Sequence, residues 1–479
     1  MNNVKVSTRR LSVGFKGIRT RADQNSLGWE YSPETYNFAY EDGALTGGLG
    51  IDAARGFFAA GEDARWEYPH LPEGVYVSGM FVYQRRNMGQ YDDRLVVHTT
   101  KGELYYIGIF KFQDVWHKIE DCTINGTATA ISYNYDGKDV LLISSPESPL
   151  CIIDDATVKQ VTNAPRLSSL AVHYERVYGT YNGTRNEVWF SDDFNPENWN
   201  VSSEEGGYIT FADECGECLA VVSFLNYLYI FRERGIFRLT AYGDQQEFSL
   251  KKLFIGAGYI YKNTIALCGD RIMFLADDGM HVFDGYDVSD AVSELPELMF
   301  KRYCRGAYHD NHYYLACFSL IPELSPSGMR NDLLVRYDLR DGSMEMLAGY
   351  DVVVLGVCNV HHASDLLIAT ADNVYGNRIG SLSDSGKVYG TPTRKVYKSP
   401  YGDLGSGGFK TVRSIDVTTE SDVDIVVVTD GKRHTFRVKG SGLPQTVFVG
   451  KSGRKIAVEL HSEQAECKIS PLVLKVDFM

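Results

Sequence analysis

The sequence predicts an all-β fold, a six- or seven-bladed β-propeller with a C-terminal β-sandwich module, and three observations carry that prediction. A chain of 479 residues exceeds the usual domain of about 100–200 residues, so a repetitive architecture is expected. The 46 Gly, 31 Tyr and 23 Phe describe many aromatic strands joined by tight turns, with Gly above its usual ~7%. Finally, one hairpin pattern recurs seven times: a polar residue, a short apolar strand, a gap often holding Gly, and a second aromatic or aliphatic strand.

The copies run DRLVVHTTKGELYYI (93–107), KDVLLISSPESPLCII (138–153), ERVYGTYNGTRNEVWF (175–190), NYLYIFRERGIFRL (226–239), DRIMFLADDGMHVF (270–283), NHYYLACFSL (311–320, returning near 333–339) and SDLLIATADNVYG (364–376). With Leu95, Val140, Val177, Leu228, Ile272, Tyr313 and Leu366 as equivalents, the spacings are 45, 37, 51, 44, 41 and 53 residues. A four-stranded blade takes about 40–50, whereas the rival β-solenoid needs turns of about 20–30. Each hairpin supplies the two middle strands of a blade, and looser stretches at 130–133, 170–174 and 219–224 supply inner ones. A strand at 51–58 is expected to complete the last blade. Neither a Trp-Asp dipeptide nor a Gly-His pair occurs, so the repeat does not read as a WD40 scaffold.

Composition shifts at 390–410, where TPTRKVYKSPYGDLGSGGFK is rich in Gly, Ser, Pro and Lys. Beyond it, period-two strands are predicted at 414–418, 424–429, 434–438, 455–460 and 473–478, with an Asp-Gly hairpin turn in TDGKRH. The expected organisation is an N-terminal arm with the first and closing strands (1–60), a propeller (61–395) and a C-terminal sandwich (396–479). A chain ending at 404 is expected to keep a folded propeller that fails to assemble.

The formal charge is -14, yet residues 405–479 carry 9 acidic and 11 basic side chains. The acid lies in the larger N-terminal part, which argues against a grip on nucleic-acid phosphates. No apolar leader or span-length apolar run is present, so a soluble chain without membrane insertion is expected. Nine cysteines fit reduced, buried thiols. The close pair Cys215 and Cys218 lacks a second ligand pair; His361-His362 and His309/His312 lie far off in sequence. The Asp-rich turns 134–139 and 284–290 lack a full calcium-loop spacing. Sequons at Asn125, Asn182 and Asn200 belong to the turn vocabulary. No nucleophile elbow, phosphate loop or dinucleotide fingerprint occurs, and 381–386 only faintly matches an Asp-box; the reading is no catalytic residue, no cofactor and no metal.

The stretch NEVWFSDDFNPENWN (186–200) reads as a structural corner. Trp189 lies in a strand that Asp192 and Asp193 end, and Asn195-Pro196 starts a turn. One helical turn is predicted, with Asn195 as N-cap, Pro196 in the first helical position, and Phe194 and Trp199 at the two positions of a hydrophobic staple.

The layout resembles a known family. Asn37, the run Asp42-Gly-Ala-Leu45 and Gly50 are similar to the opening of the tail nozzle or hub proteins of short-tailed bacteriophages, also described as packaged-DNA stabilisation proteins; Gly48 stands where that family usually has Arg. The segment 176–199 resembles its blade ending in a Ser-Asp corner and Pro-x-x-Trp. The runs 235–240 with 254–258, and 274–279, are similar to its next two blades, and 405–417 with 423–431 to its closing sandwich. The resemblance implies a virion tail protein: a homohexameric ring beneath portal and adaptor proteins and above distal tail proteins, with genomic DNA passing through without specific binding. It would place the Trp199 corner at the rim of the ring. The alternatives are a glycan- or receptor-binding propeller of a virion or cell surface, and a propeller glycosidase.

Overall fold

The computed structural model describes residues 7–20, 23–57, 65–155, 157–181, 186–203, 206–256, 258–292, 295–321, 323–325, 328–361, 363–372 and 376–478. Six antiparallel four-stranded sheets follow one another along the chain, and a seventh unit of four antiparallel strands lies within a six-stranded sheet. Blade 1 comprises Val77–Tyr83, Arg94–Thr99, Leu104–Gly108 and His117–Lys118; blade 2, Thr129–Tyr135, Lys138–Ser144, Cys151–Asp154 and Thr157–Gln160; blade 3, Leu167–His173, Arg176–Tyr181, Glu187–Phe190 and Gly207–Thr210. Blade 4 comprises Cys218–Phe224, Tyr227–Arg232, Gly235–Thr240 and Ser249–Ile255; blade 5, Ala266–Cys268, Arg271–Ala276, Gly279–Phe283 and Val288–Val292; blade 6, Arg305–His309, His312–Cys317, Leu333–Asp338 and Met344–Ala348. Blade 7 has Val352–Val360, Ala363–Asp372 and Gly376–Ser383, and takes its fourth strand, Gly50–Ala53, from near the start of the chain. The chain is a seven-bladed β-propeller.

Each of the seven aligned positions falls in the second strand of its blade. That strand is covered on both faces by neighbouring blades, so its apolar run is continuous. In blade 2 the alternation divides the work: Leu141 and Ile143 pack towards blade 1, Val140 and Leu142 towards blade 3. Blade 4 repeats the device, with Leu228 and Ile230 facing blade 3 and Tyr229 and Phe231 facing blade 5. Similar cores join blades 5 and 6, blades 6 and 7, and blades 7 and 1. The inner strands Val77–Tyr83 and Val352–Val360 are neighbours, which closes the ring.

Closure depends on Gly50–Ala53 pairing with the third strand of blade 7, Ile51 opposite Leu382 and Ala53 opposite Gly380. A Cβ on Gly380 would lie 2.3 Å from Ile51 Cγ2 and 2.6 Å from the Asp52 carbonyl oxygen, so only glycine lets the closing strand approach. Of the expected stretch 51–58, Phe58 lies outside the described residues.

The sandwich draws on both ends of the chain. One sheet orders Ser7–Val13, Leu472–Phe478, Lys410–Thr418 and Pro444–Gly453; the other orders Glu34–Tyr36, Lys395–Lys398, Ile456–Ser462, Val423–Thr429 and Lys432–Val438. Residues 396–479 therefore do not make the module alone. Ser7–Val13 pairs along its whole length with Leu472–Phe478 and puts Val13 into the shared core with Leu11 packed on it. Alternate apolar residues on an N-terminal strand need a cover, and the C-terminal sheet supplies it. The strand Pro444–Gly453 is absent from the sequence reading because Pro, Gly and Lys obscure its alternation. In the hairpin at 429–432, Asp430 (φ 49°) and Gly431 (φ 80°) both take the left-handed backbone, which a two-residue turn of matching twist requires.

Asn37 locks sandwich to propeller. Only 1% exposed, it donates from Nδ2 to the carbonyls of Arg394 (2.6 Å) and Ala348 (3.2 Å) and accepts from the Ala348 N–H (2.7 Å). Gly48 crosses directly above: a Cβ there would sit 2.6 Å from the Asn37 carbonyl oxygen. Tyr36 and Val396 carry the junction into the core between blades 5 and 6.

Candidate functional site

In an antiparallel blade the turns after the first and third strands lie at the same end, so they build one face of the propeller. The 186–200 corner is one of these turns, leaving the third strand of blade 3. It contains no helix. Asp192 and Asn195 face each other in an isolated bridge, and Asn195 Oδ1 accepts from the Glu197 N–H at 3.1 Å and from the Tyr135 hydroxyl of blade 2 at 3.4 Å. Pro196 is buried and its carbonyl receives the Trp199 Nε1–H at 2.8 Å. Trp199 is 1% exposed and packs in the core between blades 2 and 3, with Trp189 against its edge.

The expected staple does not form. Phe194 is 69% exposed with φ 54°, and its N–H reaches the Glu175 carbonyl at 2.7 Å. Trp199 finds its apolar partners in the neighbouring blade, which outweighs a local contact. Asp193 pairs with Arg176 Nε at 2.8 Å and Asp192 Oδ1 caps the Asp193 N–H at 2.7 Å. The corner is thus an inter-blade wedge, and Lys159 to Glu197 at 2.5 Å adds a second tie to blade 2.

On the same face a cleft of about 870 Å³ opens where the turns of blades 7, 1 and 2 meet. Arg85 bridges Asp92 (3.2 Å) and Asp155 (2.6 Å), and Arg94 donates to the same Asp155 oxygen. Lys138 pairs with Asp154 at 2.9 Å. At its base Asp93 is 2% exposed; one oxygen accepts the Arg85 N–H at 2.8 Å, while Oδ2 has no hydrogen-bond partner among the described residues and lies 3.9 Å from His361 Nε2. Burial raises the Asp93 carboxyl above its ordinary range, opposed by the Arg85 N–H and His361. The Tyr91 ring rests against His361, with Phe110 beside both. Two sequence candidates, the Asp-rich turn 134–139 and His361, line this cleft; sequence reasoning did not join them because the residues of the cleft come from three blades.

The other sequence candidates separate. All nine cysteines are free and buried; burial pushes the Cys218 thiol up to about 12. Among the described residues no group of three or more His, Cys, Asp or Glu is placed to hold a metal. Asp284 spends one oxygen on the Tyr286 and Asp287 N–H groups, each at 2.8 Å, which makes 284–290 a hydrogen-bonded turn. His309 meets Ser364 at 3.0 Å and His312 meets Asp338 at 3.4 Å, on either side of the turn after the first strand of blade 6. His362 and the sequon Asn182 lie outside the described residues.

No protein-family profile matches the sequence, and no curated protein does. Solved structures resemble the chain in shape. They include Raptor from Chaetomium thermophilum (TM-score 0.45, 11% identity, covering 66% of this chain and 29% of Raptor) and the Pan2 WD40 domain from Neurospora crassa (0.40, 12%, 64% and 89%). A third is BBS1N in complex with ARL6DN (0.43, 10%, 66% and 98%). The chain thus spans under a third of the length of the Raptor it matches. These likenesses concern shape, and the fold assignment stands on the seven sheets and their closure.

Proposed function

We propose that this chain is a virion structural protein of the tail-nozzle type, which assembles into a ring on the portal-adaptor channel of a short-tailed bacteriophage and conducts DNA without binding it. The observation that carries the reading is the placement of the family-like segments. The opening residues Asn37 to Gly50 form the lock and lead into the closing strand, the Ser-Asp and Pro-x-x-Trp segment forms the corner of blade 3, and the later segments fall in blades 4 and 5 and in the sandwich. Such a chain works by assembly. The formal charge of -14 per copy is compatible with a channel that DNA slides through, since a few phosphate contacts change affinity by orders of magnitude. Electron microscopy of the purified protein, alone and with portal and adaptor proteins, tests it: rings are expected, and a chain that stays monomeric in both conditions overturns it.

A second reading, a glycan- or receptor-binding propeller, is favoured by the cleft of blades 7, 1 and 2. Its carboxylates, guanidinium groups and the Tyr91 and Phe110 rings are the groups that hold sugar hydroxyls and ring faces. Glycan-array binding lost in Asp93→Asn and Tyr91→Ala supports this reading, and no binding removes it.

A further inference from the structure

We propose that the outer face of blades 3–5 receives the open edge of the sandwich from a second copy of this chain; the proposal rests on the ring-forming reading and names its contact. Tyr174, Phe194, Leu225, Tyr242 and Tyr286 all come from turns after first or third strands, so they share one face, and they are 44, 69, 50, 65 and 62% exposed. The patch is continuous. The Phe194 N–H bonds Glu175, the rings of Tyr174 and Tyr242 meet edge-on at 5.4 Å, the Tyr174 hydroxyl reaches the Asn226 carbonyl at 3.3 Å, and Gly285 lies under Leu225.

Three of these residues hold a left-handed backbone: Tyr174 at φ 49°, Phe194 at 54° and Leu225 at 46°. Bulky residues pay for that conformation where Gly or Asn would not. Around them Asp244, Glu247, Asp284 and Asp287 are exposed and form no ion pair among the described residues. The face is aromatic and acidic.

The sandwich offers the opposite. Lys432–Val438 and Pro444–Gly453 are the terminal strands of its two sheets and lie beside each other, leaving two strand edges open. Exposed Lys432, Arg437 and Lys439 form no ion pair among the described residues, and Leu443 and Phe448 are 67 and 82% exposed. Lysines guard an open edge against indiscriminate pairing, and here the same charges match the acidic face. In one chain the edge belongs to the sandwich, which packs beside blades 5 and 6, while the face belongs to blades 3–5. Because face and edge are different surfaces, each union leaves another face and another edge free, so the contact is heterologous and closes into a ring or runs on as a filament. Apolar side chains on both sides supply the desolvated centre and the charges select the partner.

Charge exchange in the full chain tests it by sedimentation velocity. Glu247→Lys/Asp287→Lys and Arg437→Glu/Lys439→Glu should each keep the wild-type melting temperature and weaken self-association about tenfold or more. Mixing the two variants, or combining all four changes in one chain, should restore assembly, and Tyr242→Ala should weaken it without altering charge. If the wild type forms rings and the reversals leave them intact, this contact is overturned while the ring reading stands. A wild type that remains monomeric at micromolar concentration, both alone and with portal and adaptor proteins, removes the ring reading and, with it, a second copy as occupant. Retention of that monomer on immobilised polylysine through Glu247 and Asp287 would assign the face to another basic protein, also against this proposal.

Discussion

Trp199 and Phe194 are five positions apart and have opposite fates. Trp199→Ala deletes a fully buried indole between two blades and its hydrogen bond to the Pro196 carbonyl; a loss of about 3–5 kcal/mol is expected in denaturant titration. Phe194→Ala should be within about 0.5 kcal/mol, since the ring is exposed. Asn195→Ala removes the acceptor for Glu197 and should cost about 1 kcal/mol, and Asp192→Asn and Asp193→Asn should cost about that or less, each keeping an acceptor oxygen. A different test belongs to Asp93. Its carboxyl is raised in the folded chain, so the ionised form is a penalty present above the folded pKa and absent below the unfolded one. Asp93→Asn, which keeps the acceptor for Arg85, should raise the melting temperature at pH 7, and the advantage should shrink as pH falls through the carboxylate range. An advantage that grows towards acid would contradict the assignment.

At the scale of elements, legibility follows coverage. The second strands could be read because both faces are buried, as in Arg94–Thr99, where all six residues are buried. The outer strands could not: Thr157–Gln160 is largely exposed and His117–Lys118 has two residues, so no apolar period exists to find. The corner was legible as a turn, but its helix and staple were not formed, because Trp199 packs on residues of blade 2 that are distant in sequence. The cleft could not be assembled from the sequence for a similar reason: the turn 134–139 and His361 stood out singly, but Asp93 and His361 meet only when blade 7 closes on blade 1. Two element-level experiments follow. Gly380→Ala should drive the closing strand off and lower the melting temperature more than Gly390→Ala, whose Cβ would meet nothing within 4 Å although its φ of 83° carries its own strain. A chain ending at 404, expected from the sequence to keep a folded propeller, should instead aggregate, because Ser7–Val13 loses its partner strand Leu472–Phe478; a fragment spanning 37–398 discards that strand too and should stay soluble with far-UV dichroism of β type. A soluble 404 truncation would show that the N-terminal strands need no cover.

For the whole molecule, the uneven charge becomes a design feature if copies associate face to edge. The contact should then weaken steeply with added salt, as the Debye length falls from about 10 Å at 0.1 M to about 3 Å at 1 M. Association unchanged over that range, followed by light scattering, would mean that apolar burial alone holds the copies together. Propeller and sandwich share the Asn37 lock and the core around Tyr36 and Val396, so one calorimetric transition is expected for the full chain, and Asn37→Ala should split it in two.

The closing strand also sets a timetable for synthesis. Asp52 meets Ser385, 333 positions later, and Thr8 meets Asp477, 469 positions later. At about 5–20 residues per second on the ribosome, the segment around residue 50 waits on the order of 15–70 s for its partner, and the first strand of the sandwich waits longer. Blades 1 to 6 are emitted in order and each lies against its predecessor, yet the circle stays open until nearly everything has been made. During that interval the closing strand is unpaired, and crowded translation of one message offers it a neighbour's blade 7 as a competing partner.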